Sequence, residues 1–142
     1  MKRNSLLVLA VAFWISLGHG GSRNLSVLVV GAKSTVGQVI LSVFSSRENY
    51  LKEPIYNEIK AVDEFGEARF QLTLSRGDYA VSAVYDENGN DKLDTGFLGI
   101  PKELVAFSNN AKGRFGPPKF DDTVFRLDSE LSIEIRLAKA KE

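Results

Sequence analysis

Residues 68–86 read ARFQLTLSRGDYAVSAVYD. In the first half Ala68, Phe70, Leu72 and Leu74 alternate with Arg69, Gln71 and Thr73, and in the second half Tyr79, Val81, Ala83 and Tyr85 keep the same period. A period of two sends successive side chains to opposite faces of an extended chain, so each half predicts a strand with one face on a core. Between them Ser75-Arg76-Gly77-Asp78 is short enough for a hairpin turn, with Gly77 able to take a positive φ.

The same period recurs on both sides. Leu25, Val27 and Val29 alternate, as do Val39, Leu41 and Val43, and Leu131, Ile133, Ile135 and Leu137 close the chain with Ser132, Glu134 and Arg136 facing outward. Turn residues separate these runs at Gly31–Gly37 and Glu64-Phe65-Gly66-Glu67, whereas residues 45–56, polar and containing Pro54, predict a loop. Helical periodicity is hard to find. About seven short strands at this spacing imply an all-β chain, a single antiparallel β-sandwich over residues 21–142, with a small closed barrel as the alternative.

The first twenty residues belong to something else. Lys2 and Arg3 precede the apolar run Leu6–Leu17, and Gly18-His19-Gly20 supplies the small residues of a signal-peptidase site. The run is too short for the roughly 20 apolar residues that span a bilayer. Residues 1–20 therefore read as a signal peptide, and the protein as exported, periplasmic or secreted, with no transmembrane anchor after cleavage. Cleavage removes His19, the only histidine, and Trp14, the only tryptophan, from a chain without cysteine. An exported chain with neither imidazole nor thiol has no Ser-His or Cys-His catalysis and no zinc site of the His/Cys kind. Loss of Lys2 and Arg3 leaves two more acidic than basic side chains, which gives no electrostatic case for nucleic acid. The expectation is a non-enzyme.

Two long connections break the regular spacing, one from Asp86 to about Leu104 and one from Phe107 to about Asp122. Connections above about 12 residues are uncommon in small domains unless they serve a function or are disordered. Phe97, Phe107, Phe115 and Phe120 argue for order. Both loops are expected to pack against one end of the sandwich.

The first loop, DENGNDKLD from Asp86 to Asp94, places side-chain oxygens of Asp86, Asn88, Asn90 and Asp94 at positions 1, 3, 5 and 9, with the main-chain carbonyl of Lys92 at position 7. Calcium takes several hard oxygens around one point, and this is the spacing of the first nine positions of an EF-hand loop. Asp91 stands where that loop requires glycine, and Phe97 where it has a bidentate glutamate. A calcium site here would have a dissociation constant of about 10⁻⁴ to 10⁻³ M, with Glu87, Asp91, Asp121 or Asp122 completing its shell. The same residues also suit a metal-free turn, because Asx side chains bond their own backbone. In the second loop Phe107, Asn109, Asn110, Arg114 and Phe115 are candidates for stacking on and hydrogen-bonding to an envelope glycan or a peptide, or they simply fix the loop's path.

The succession YAVSAVYDENGNDKLDTGFLGIPKE, then FSNNAKGRFGPPKFDDTVFRL, then an alternating strand, closely resembles the bacterial exported family known as domain of unknown function 2141. Asp86, Asn88, Gly89, Asn90, Leu93 and Asp94 match its first loop, and Gly99, Pro101, Phe107, Ser108, Asn109, Asn110, Gly116, Pro117 and Phe120 match the rest of the family pattern. Asp91 departs from the family's usual glycine. The resemblance implies a prealbumin-like or carboxypeptidase-regulatory-like sandwich behind a signal peptide, and implies no activity.

Overall fold

Burial follows the alternation. A computed structural model describes residues 21–140, so the segment assigned to the signal peptide lies outside the described residues. The strands are β1 Ser22–Val30, β2 Gln38–Phe44, β3 Tyr56–Ala61, β4 Ala68–Ser75, β5 Gly77–Asp86, β6 Leu104–Phe107, β7 Phe125–Leu127 and β8 Leu131–Arg136, with one helical turn, α1, at Phe120–Thr123. They form two sheets, β4-β1-β8 and β3-β2-β5-β6, with β7 continuing on the same strand β5. The chain is an all-β sandwich rather than a closed barrel. Leu25, Val27 and Val29 of β1, Phe70 and Leu72 of β4, and Ile135 of β8 face Val39, Leu41 and Val43 of β2 and Val81, Ala83 and Tyr85 of β5 across one core.

Pairing differs from expectation in three ways. First, β4 and β5 are not a hairpin: β4 pairs with β1 and β5 with β2, so the chain changes sheets at Arg76. Gly77 accordingly needs no positive φ and has none. Residues 31–37 and 62–67 also cross between the sheets, which explains why short turns here join strands that never pair. Second, β8 runs parallel to β1, from Leu25 opposite Leu131 to Val30 opposite Arg136. Third, the two long loops lie at opposite ends. β5 begins beside Phe44 and ends beside Gln38, so residues 86–103 leave its far end together with the crossings at 31–37 and 62–67, while residues 108–124 lie at its near end.

The near end is closed by aromatic contact. Tyr50, in the turns after β2, meets Phe44 and Phe120 edge-on with ring centroids 5.5 and 5.6 Å apart. On the adjoining edge, where β6 and β8 face each other from different sheets, Val105 and Ala138 exchange backbone bonds of 2.9 Å. Asn110 extends this join with its side chain, accepting from Arg136 N at 2.9 Å and donating through Nδ2 to Glu134 O at 3.3 Å. A carboxamide here does what a neighbouring strand would do for β8.

Asn110 also holds a φ of 48°, where a β-carbon without a local polar compensation is strained. Asn110→Ala should therefore lose about 2 kcal/mol of stability, measured as a lowered denaturant midpoint at unchanged slope.

Candidate functional site

Asp86 is the last residue of β5 and is fully buried. A buried carboxylate must be neutralised by a cation or by donors, and here the donors are backbone and amide. Oδ1 accepts from Gly89 N at 2.8 Å and Asn90 N at 3.2 Å; Oδ2 accepts from Asp91 N at 2.8 Å and Gln38 Nε2 at 2.8 Å. The chain curls around the carboxylate to deliver these groups, which takes Gly89 to φ 71° and Asp91 to φ 63°. Aspartate tolerates the left-handed region better than most residues. The turn that the missing glycine would make is thus kept. Beneath it, a β-carbon on Gly37, at φ 96°, would lie 2.8 Å from the Asp86 carbonyl oxygen, so only glycine lets β2 begin this close to the loop.

Asp94 organises the second half. Asn88 Nδ2 donates to its Oδ2 at 2.7 Å and Asn90 Nδ2 to its Oδ1 at 2.8 Å, while its own N–H donates to Glu103 Oε2 at 3.0 Å. Asn88 and Asn90 thus present Nδ2 to Asp94, while their Oδ1 atoms accept from the backbone N–H groups of Asn90 and Lys92, and Asp86 accepts from Asn90 N. Lys92 contributes a backbone N–H to Asn90 Oδ1 at 3.2 Å. Asp121 and Asp122 do not join them: Asp121 sits at the other end in an ion pair with Arg47, and the Asp122 carbonyl accepts from Asn109. The carboxylate that does arrive is Glu103, and Gln38 arrives with it. Neither carried a signal in the loop motif, because the approach to β6 and the start of β2 supply them.

Asp86, buried, and Glu103, half-buried, respond oppositely to protons. Burial pushes the Asp86 carboxyl up, but Gln38 and the N–H groups of Asp91, Asn90 and Gly89 outweigh it and hold it below the usual carboxylate range. Glu103 is pushed up by burial and by the charges of Asp94 and Asp86, against donation from the Asp94 and Glu87 backbone. Among the described residues no lysine or arginine forms an ion pair with Asp86, Asp94 or Glu103, and no group of three or more His, Cys, Asp or Glu side chains is disposed to hold a metal.

Beyond Asp94 the loop rises into a small hairpin in which Thr95 bridges Pro101 and Gly96 N donates to Ile100 O at 2.7 Å. Its tip exposes Phe97 and Leu98, 85% and 81% accessible. The two crossings at this end also present apolar side chains, Val36 and Phe65. They touch one another through Ala32 N to Gly66 O and Val62 N to Gly37 O, both 3.2 Å.

In the second loop the carboxamides are already engaged. Asn109 Nδ2 donates to Asp122 O at 3.2 Å and Val124 O at 3.0 Å, and Asn110 binds β8. Ser108, fully buried, accepts from Val81 N at 2.9 Å and donates to Thr123 O at 2.6 Å. Phe107 is half-buried, which leaves Arg114 and Phe115 standing in solvent. The open cleft nearby, about 520 Å³ and lined by Arg47, Asp78, Phe120, Asp121, Phe125 and Arg126, has its arginines paired with Asp121 and Asp78.

Substitutions in the first loop separate these roles. Asp86→Ala strands three backbone N–H groups and should cost about 3 kcal/mol or more, while Asp86→Asn, which keeps one acceptor, should cost less; denaturant midpoints measure both. Glu103→Gln keeps an acceptor for the Asp94 N–H and removes a charge. A carboxyl with a raised native pKa stabilises the fold only while protonated and loses that contribution as pH rises through it. Glu103→Gln should therefore raise the melting temperature at neutral pH, and the gain should vanish in acid. Asp86 has the opposite sign: its contribution is present above the ordinary carboxylate range and is lost as pH falls through its lowered pKa.

No curated protein and no solved structure gives a significant match. A family model does, over residues 27–134, from within β1 to within β8 and across both loops. The resemblance read from the loop motifs is borne out, and the chain belongs to the bacterial family described as "Uncharacterized protein conserved in bacteria (DUF2141)".

Proposed function

We propose that the protein is an exported, non-enzymatic binding module of the bacterial envelope, and that calcium at the Asp86–Asp94 loop stiffens the end that presents Phe97 and Leu98. One observation carries this reading: Asp86, Asp94 and Glu103 gather at one end of the sandwich with no lysine or arginine paired to them among the described residues. Oxygen donors are what calcium takes, and Asp94, Glu103, Asn88 and Asn90 supply four side chains of that kind. To hold a cation, Asn88 and Asn90 would turn their carboxamides to offer Oδ1, and the cation would take the place of their N–H groups beside Asp94. Asp86 continues to hold the turn.

Glycan or peptide capture at residues 107–120 is a second reading. It rests on Arg114 and Phe115 rather than on Asn109 and Asn110, whose amides serve the fold. Retention on cell-wall glycan that Arg114→Ala/Phe115→Ala abolishes would favour it.

The calcium reading is tested by thermal unfolding of residues 21–142, followed by circular dichroism with calcium and with chelator. Ligand at about ten times its dissociation constant stabilises the native state by about 1.4 kcal/mol, a shift of several degrees for a domain this size. The shift should be absent in Asp94→Asn and Glu103→Gln. A parent that melts identically in both buffers returns the loop to the metal-free turn.

A further inference from the structure

β4 ends the three-stranded sheet, and its outer edge carries no strand. Which of its backbone groups face outward is set by β1. Val30 O accepts from Leu137 N beyond β8, so even-numbered residues of β1 point toward β8 and odd-numbered ones toward β4. In the β1–β4 register Leu25, Val27 and Val29 oppose Leu72, Phe70 and Ala68, which leaves Arg69, Gln71, Thr73 and Ser75 with their N–H and C=O groups pointing away from the sheet. Two side-chain bonds agree: Lys60 Nζ reaches Arg69 O at 3.0 Å, and Tyr79 OH reaches Ser75 O at 2.8 Å. Among the described residues the N–H and C=O groups of Gln71 and Thr73 have no protein partner.

Native sheets guard their edges with charge, brevity or cover. The other edges here are guarded: β8 by Asn110 and the Val105–Ala138 bridge, β7 by its three residues, and β3 by Glu58 and Lys60. The lower half of β4 is not. Phe70–Ser75 reads FQLTLS, with no charge, no proline and no glycine. Lys60 covers only its upper end, bonded to Arg69 O and lying 5.3 Å above the Phe70 ring.

We propose that β4 pairs antiparallel with β4 of a second copy, joining two three-stranded sheets into one of six. The favoured register sets Leu72 opposite its own counterpart, so Gln71 faces Thr73, Phe70 faces Leu74 and Arg69 faces Ser75. It is the self-complementary one. Gln71 and Thr73 become mutually hydrogen-bonded pairs, Leu74, half-buried in the single copy, gains Phe70 as a neighbour, and no like charges are opposed. Registers shifted toward Ala68 bring the incoming strand onto Lys60, and those shifted toward Ser75 shorten the pairing.

The chain has no cysteine, so a register can be read by cross-linking without background. Gln71→Cys mixed with Thr73→Cys should give a disulfide-linked dimer under mild oxidation, because hydrogen-bonded opposites sit about 5.5 Å apart at Cα, inside the range a disulfide spans. Either variant alone should not, since 71 and 71 of the partner copy lie on a diagonal beyond that range. Sedimentation of the parent should show a dimer. Thr73→Pro should sediment as a folded monomer, because the N–H it deletes faces outward and the ladder to β1 is spared. A parent that remains monomeric at millimolar concentration overturns the proposal, as does a dimer that Thr73→Pro leaves intact. Single-cysteine variants that cross-link as well as the mixture overturn the register.

Discussion

The carboxylate of Asp86 is buried at the end of the central strand with no lysine or arginine paired to it among the described residues, and much of the far end of the sandwich is arranged to satisfy it. Four donors converge on two oxygens. Three come from the next five residues, which fixes the curl of the loop and puts Asp91 in a conformation that usually falls to glycine. The fourth comes from Gln38, the first residue of β2, whose approach requires Gly37. The crossing at residues 31–37 is seated by the same constraint, and Tyr85, one residue before Asp86, holds it from below through its hydroxyl, 2.9 Å from Ser34 Oγ.

Alternation made β1, β4 and β8 legible because each has one face toward the core and the other largely in water, and β2 and β5 were legible from the apolar spacing of their core face although their second face is largely buried too. β3 was not legible for the converse reason: none of Tyr56–Ala61 is buried, so its apolar side chains follow no pattern that burial imposes. β6 and β7, four and three residues long, are too short to show a period. Sheet membership was hidden for a different reason. Turn chemistry at Ser75–Asp78 reports that the chain reverses and cannot report whether the next strand lies beside the last or across the core from it. The parallel pairing of β8 with β1 is a consequence of that topology and leaves no mark on either strand's sequence.

The site shows the same division. The alternate Asx residues of one loop do bond one another and their own backbone, because a tight turn needs only local chemistry to form. The partners from elsewhere, Gln38 and Glu103, depend on which strand ends meet, and Asp121 and Asp122 were drawn to the wrong end for that reason. In the second loop the residues with the most binding-like chemistry turned inward. Asn109 and Asn110 spend their amides on backbone groups that the irregular edge between β6, α1 and β8 would otherwise leave unpaired, and this is a common fate for carboxamides in a small sandwich.

Asp86 and the pair Asp94 and Glu103 therefore call for different explanations. Folding accounts for Asp86: every donor it takes is one the backbone must place somewhere, and its affinity for protons falls as a result. Folding does not account for Glu103 in the same way. Its carboxyl is partly desolvated, lies within reach of two other negative charges, and holds protons more tightly than an ordinary glutamate. A glutamine would accept the same Asp94 N–H without that cost. On the calcium reading proposed above, a bound cation would offset that cost. Glu103 stands where the chain returns from the exposed Phe97–Leu98 tip to enter β6.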